Sequence, residues 1–208
     1  HSAAPHHSFI QVLALPPVLI FLGVSFLLQL SHGIYYTFFS LHLEAAGYHR
    51  SQVGMLWALS VLAEIALFVV MPKLLTNWSL REIFVFSLLA AALRWFLIAF
   101  CETSEIVIIF AQCLHAFSFG ACHALSIEYL RRFFSGPLRG RGQAIYTSTS
   151  FGAGGAMGAL VGGLLWNFSP ELTFSVAGVL SLLAAWIAYA GLDGRRYRDQ
   201  WFSKLLQE

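Results

Sequence analysis

Residues 80–100 read LREIFVFSLLAAALRWFLIAF, and beyond the Arg81–Glu82 pair at its start this run carries a single charge, Arg94. A helix needs about 20 predominantly apolar residues to cross the hydrocarbon core of a bilayer, and this run has that length. If the run lies in a membrane, Arg94 is an ionisable group deep in lipid. There it needs a partner or a task, because an arginine near mid-span costs about 2.5–3.5 kcal/mol on insertion scales.

The rest of the chain places the run in a membrane. Of its 208 residues, 58% are hydrophobic and only 11% are charged, and the mean hydropathy is +0.72. Soluble domains carry about 25% charged residues, so this composition could hardly cover a water-facing surface. Six segments are long and apolar enough to span, near 12–41, 51–71, 80–100, 106–128, 144–166 and 171–191. Only helices and closed barrels satisfy their backbone polar groups in lipid, and runs of this length without period-two alternation exclude a barrel. The expected fold is all-α: a polytopic membrane protein with six transmembrane helices between a linker at 1–11 and a tail at 193–208. The start, HSAAPHHSF, has no initiator methionine and no signal-peptide pattern, and reads as the beginning of a piece of a longer chain.

Charge placement sets the orientation. With the N-terminus in the cytoplasm, Lys73, Arg81, Arg131, Arg132, Arg139, Arg141, Arg195, Arg196, Arg198 and Lys204 all fall on the cytoplasmic side, and only Arg50 falls opposite. By the positive-inside rule both termini are expected to be cytoplasmic. The net charge of +2 and the lack of a basic helix or RNA-type aromatic motif leave no reason to expect nucleic acid as a partner.

In the fifth span, GAGGAMGALVGG sets Gly154, Gly158 and Gly162 four residues apart. That spacing bares one helix face for close approach of a neighbouring backbone. A phosphate loop does not fit, since the glycines lie within an apolar helix with no preceding strand and no GKS or GKT. The cysteines Cys101, Cys113 and Cys122 show no CxxC spacing and read as small buried apolar residues.

Polar groups accompany Arg94 at comparable depth: Gln29, His32, Tyr35 and Tyr36 in the first span, Glu64 in the second, and Gln112, His115 and His123 in the fourth. Arg94 lies six residues, about 9 Å, from the outer end of its span, almost within snorkelling reach. The company of these groups favours an inward, paired or solute-facing role. Glu64, in SVLAEIALFVV, must be paired or protonated at its depth, which is the chemistry of a proton carrier. A static ion pair is the alternative. His115 and His123 are eight apart with no third ligand following, so no metal site is expected. His1, His6 and His7 belong to a polar linker.

Several separated stretches carry a family resemblance. GYHRSQVGMLWALSVLAEI (47–65), LSIEYLRRFF (125–134) and RGQAIYTSTSFGAGGAMGALVGGLLW (141–166) resemble the phenylpropionate permease subfamily of the major facilitator superfamily. That subfamily is related to the lactose permease and nucleoside permease families of proton symporters. The whole chain is similar to the C-terminal six-helix half of such a transporter. The resemblance implies that the membrane is the bacterial inner membrane, with the lipid bilayer, an N-terminal six-helix half, a small organic solute and protons as partners. It implies no cofactor beyond the proton gradient as driving force. It also places Arg94 where the lactose permease has an arginine of proton coupling, and His115 on that family's coupling histidine. Ser118 stands where that family has its proton-carrying glutamate and Gln112 where it has a lysine, so attention moves to Glu64. The loop PKLLTNWSLRE lacks the superfamily's usual Gly and Asp.

The resulting expectation is a proton-coupled symporter of a small organic solute such as an aromatic carboxylate. Its cavity candidates are Tyr35, Tyr36, Trp57, Glu64, Arg94 and His115. Aromatic rings suit a ring-bearing solute and Arg94 suits its carboxylate. In this scheme Arg94 pairs with the solute in one state and with Glu64, directly or through His115, in the other. Proton-driven efflux of amphipathic compounds and sugar or nucleoside symport are the alternatives within transport. A membrane scaffold or assembly subunit is the alternative outside it. An intramembrane enzyme is disfavoured, because Ser118 and His115 lack an orienting acid and no oxyanion arrangement accompanies them.

Overall fold

The computed structural model describes residues 8–192, and within them every regular element is a helix. Most of the expected linker and all of the expected tail lie outside the described residues. Residue 8 onward is already structured: α1 (Phe9–Leu13) opens on a capping box in which Ser8 and Gln11 satisfy each other's backbone N–H.

Among the described residues, five helical stretches are long and apolar enough to cross a membrane. They are α2 (Pro16–Ala45), α3 (Arg50–Asn77), α4 (Leu80–Phe100), the stretch Glu105–Phe133 and α9 (Pro170–Gly191). Glu105–Phe133 comprises α5 (Glu105–Cys113), a π-helical segment (Ala116–Ala121) and α6 (Cys122–Phe133). The sixth expected span is also helical: α7 (Arg139–Tyr146), a second π-helical segment (Thr147–Gly154) and α8 (Gly155–Trp166) follow without a break. It falls outside the five because its glycines, serines and threonines dilute its hydropathy.

Local chemistry sets the ends of these helices. Pro16 and Pro17 start α2, where a missing N–H removes nothing from the helix. The chain leaves α2 through Gly47 at φ 96°, a left-handed turn that a side chain would strain. Ser79 and Glu82 form a capping box at the head of α4, and Ser169 caps α9 ahead of Pro170.

Apolar burial does not drive helices together in lipid, which is itself apolar; close packing and buried hydrogen bonds do. Most of the apolar stretch of α2 is buried, whereas most of that of α3 faces outward. Helix α2 packs against α8 and α9, and α9 packs in turn against α4. The Trp95 indole of α4 joins that helix to α2 and α9, donating to Ser31 on α2 at 3.3 Å and to Ser181 on α9 at 3.1 Å.

The glycine face packs as its spacing requires. A Cβ at Gly158 would run into the Leu30 carbonyl, one at Gly154 would come within 2.8 Å of the Phe26 carbonyl, and one at Gly162 within 2.7 Å of the Phe38 ring. Gly33 of α2 reciprocates, since a Cβ there would strike the Gly155 carbonyl. A side chain at Gly158 therefore has to separate two backbones, and overpacking of this kind costs about 1–3 kcal/mol or more. Gly158→Leu should sharply reduce the yield of monodisperse protein in size-exclusion chromatography. Gly155→Ala should not, because a Cβ at Gly155 meets nothing within 4 Å.

One expectation needs correction. Cys122 is buried and Cys101 partly so, but Cys113 is exposed. The packed face of α5 is formed by Ile108, Ala111 and Gln112, and Cys113 lies a quarter-turn or so away from it.

Candidate functional site

Arg94, on α4, is fully buried. Its Nε donates to the Ala111 carbonyl and its Nη2 to Oε1 of Gln112, both at 3.0 Å. One face of the guanidinium lies over the Tyr35 ring, with Cζ 4.0 Å from the ring centroid. The Tyr35 hydroxyl donates to the same Gln112 oxygen at 3.0 Å, so α2, α4 and α5 meet at one amide. The partners are neutral acceptors and an aromatic face. Among the described residues no carboxylate lies within 4.0 Å of Arg94, and its Nη1, although buried, has no hydrogen-bond partner.

The acid at this depth is elsewhere. Glu64, on α3, places Oε2 3.8 Å from Nε2 of His115, beyond hydrogen-bond distance but within ion-pair range. The π-helical segment Ala116–Ala121 follows directly on His115 and brings Gly120 against the Glu64 side chain, where a Cβ would come within 2.8 Å of Cγ. Tyr35 touches both halves of the site, its ring centroid 4.0 Å from Cζ of Arg94 and 6.2 Å from that of His115.

Aromatic rings complete the wall. Tyr35 and Trp57 lie 4.8 Å apart, Tyr36 stacks on Trp57 at 6.0 Å, and the Trp57 indole donates to Ser40 at 3.1 Å. Tyr36 is 45% exposed and so opens on the surface of this helical unit, while Tyr35 behind it is fully buried. His32 also belongs to the cluster. Its Nδ1 is 3.0 Å from the Leu28 carbonyl, its ring meets Trp95 edge-on at 5.0 Å, and its Nε2 is buried without a partner.

The structure thus brings Tyr35, Tyr36, Trp57, Glu64, Arg94 and His115 into one cluster, but it does not pair Arg94 with Glu64 directly. Glu64 contacts His115, and Tyr35 contacts both His115 and Arg94. His32 was legible only as a polar group at similar depth. Gln112 was marked by its depth match with Arg94 and by standing where the lactose permease has a lysine. Nothing in sequence periodicity marks the two π-helical segments, which touch through Phe119 and Phe151 with ring centroids 6.3 Å apart. Such segments recur at functional sites. Among the described residues no group of three or more His, Cys, Asp or Glu could hold a metal ion.

Comparison with known proteins matches this architecture to a family. Residues 2–176 match the model of the MFS_1 like family. The chain is 31% identical over 167 residues to the probable 3-phenylpropionic acid transporter of Escherichia coli (strain K12), an alignment covering 80% of this chain and 44% of that protein. It therefore spans less than half the length of this curated relative. No solved structure is significantly similar to it. An all-helical membrane unit matched over most of its length in this way belongs to the MFS_1 like family of major facilitator transporters, with the extent of one six-helix half.

Proposed function

We propose that this chain forms the C-terminal half of a proton-coupled symporter of the bacterial inner membrane that takes up a small aromatic carboxylate of the phenylpropionate type. The observation that carries the reading is Arg94, a fully buried guanidinium whose hydrogen-bond partners are neutral and which has no carboxylate within 4.0 Å among the described residues. A buried cation in a membrane calls for a counter-charge, and a solute carboxylate supplies one. The rings of Tyr35, Tyr36 and Trp57 provide a wall for an aromatic body. The name of the relative, a probable 3-phenylpropionic acid transporter, supports the same solute class.

In this mechanism the solute lies near the midplane between the chain and an N-terminal six-helix half, and the two halves rock to expose it alternately to each side. Its carboxylate engages Arg94. Glu64 and His115 hold the coupled proton. Tyr35, which touches both Arg94 and His115, links solute binding at Arg94 to proton uptake at Glu64 and His115. The driving force is the proton gradient, with no cofactor. The test is uptake of labelled 3-phenylpropionate by vesicles containing the complete protein, with and without an inward proton gradient. Accumulation only with the gradient is expected, and equal uptake in both conditions would overturn coupling.

Orientation follows from the basic residues. In a variant whose own three cysteines are replaced by serine, cysteines introduced at Ser135 and Arg196 should react with a membrane-impermeant maleimide only from the cytoplasm. A cysteine at Thr103 should react only from outside. Reaction of all three from one face would remove the six-span topology.

A further inference from the structure

Two donors remain unsatisfied where Arg94 meets Gln112. Arg94 Nη1 and Gln112 Nε2 are both buried and neither has a hydrogen-bond partner, although the groups that bear them are joined at 3.0 Å through Nη2 and Oε1. The orientation of the Gln112 amide is fixed by chemistry. Its oxygen receives two donors, Arg94 Nη2 and the Tyr35 hydroxyl, and a reversed amide would point N–H at N–H. The free end is therefore N–H₂, a second donor on the same hydrogen-bonded pair as the free guanidinium nitrogen. A buried donor without a partner forfeits the hydrogen bond it had in water, and the large majority of buried side-chain polar atoms do have one. Here two such donors occur on one pair, and both ask for an acceptor.

We infer that Gln112 completes a carboxylate seat with Arg94 and sets its charge selectivity. This rests on the proposed carboxylate solute. One carboxylate oxygen accepts from Arg94 Nη1 and the other from Gln112 Nε2, while Gln112 Oε1 keeps the guanidinium turned toward the seat by holding Nη2. As a neutral amide, Gln112 leaves the seat with the single positive charge of Arg94, which one carboxylate balances. An acid at the same position would supply that carboxylate from within the chain and replace the donor with an acceptor. A lysine would add a second positive charge. Gln112 is thus a specificity-determining residue that acts by what it leaves uncompensated.

The test uses the complete protein, purified and reconstituted, and compares binding of 3-phenylpropionate with that of its neutral isostere 3-phenylpropanamide. The wild type should favour the carboxylate by about tenfold or more. Gln112→Glu should weaken carboxylate binding by about 30-fold or more, the range for placing like charges in a desolvated site. It should change amide binding by less than about threefold, so the preference reverses. A purely structural role for Gln112 would instead move both ligands together. Gln112→Met, which keeps size but has neither donor nor acceptor, should lower only the carboxylate affinity, and it serves as the readout should the glutamate variant fail to fold. A wild-type preference for the carboxylate that persists unchanged in the variants overturns the role of Gln112 alone. A wild type that does not distinguish the two ligands overturns the carboxylate solute and the seat with it.

Discussion

Arg94→Gln is expected to leave the protein inserted and monodisperse while abolishing gradient-driven accumulation of 3-phenylpropionate. Removing the guanidinium takes away the only cation among the described residues placed to meet the solute's carboxylate at this depth. Truncating one member of a buried charge pair costs about 2–5 kcal/mol, so binding should weaken by about 30-fold or more. The fold has less to lose. Arg94 is held by one backbone carbonyl and one amide oxygen rather than by an acid, so its removal strands no buried carboxylate. Uptake and ligand binding measured at matched expression decide the matter. Accumulation at the wild-type level would reduce Arg94 to a structural residue.

Glu64→Gln should separate coupling from translocation. A glutamine keeps the size of the side chain that lies against Gly120 and beside His115, and its permanent neutrality mimics the protonated acid. The variant should therefore lose accumulation against a gradient and retain exchange of internal for external solute. Paired uptake and counterflow assays distinguish the outcomes. Loss of both activities would make Glu64 part of the solute site or of the fold, and retention of proton-driven accumulation would remove it from the mechanism.

The difference between these two residues also shows what the sequence could and could not display. Hydropathy located the long helices, because lipid leaves the chain few choices of secondary structure; among the described residues five are long and apolar enough to span. The four-residue glycine spacing located a contact, because only one helix face is bared by it. Arg94 was conspicuous because a charge in an apolar run needs a partner, but its partners are uncharged: a backbone carbonyl, the Gln112 amide and the face of Tyr35. Opposite charges on neighbouring spans suggest a pair with Glu64, whereas packing sets Glu64 beside His115 and Arg94 against Tyr35 and Gln112. The π-helical segment at His115 shifts the register of the fourth span and brings Gly120 against Glu64. That shift depends on how three helices fit together, and no local pattern encodes it.

Coupling of solute to proton is the central claim, and proton movement tests it most directly. Adding 3-phenylpropionate to lightly buffered, de-energised vesicles containing the complete protein should make the external medium more alkaline as solute and protons enter together. Arg94→Gln vesicles should give no such signal. Solute entry without any accompanying pH change in the wild type would contradict the account.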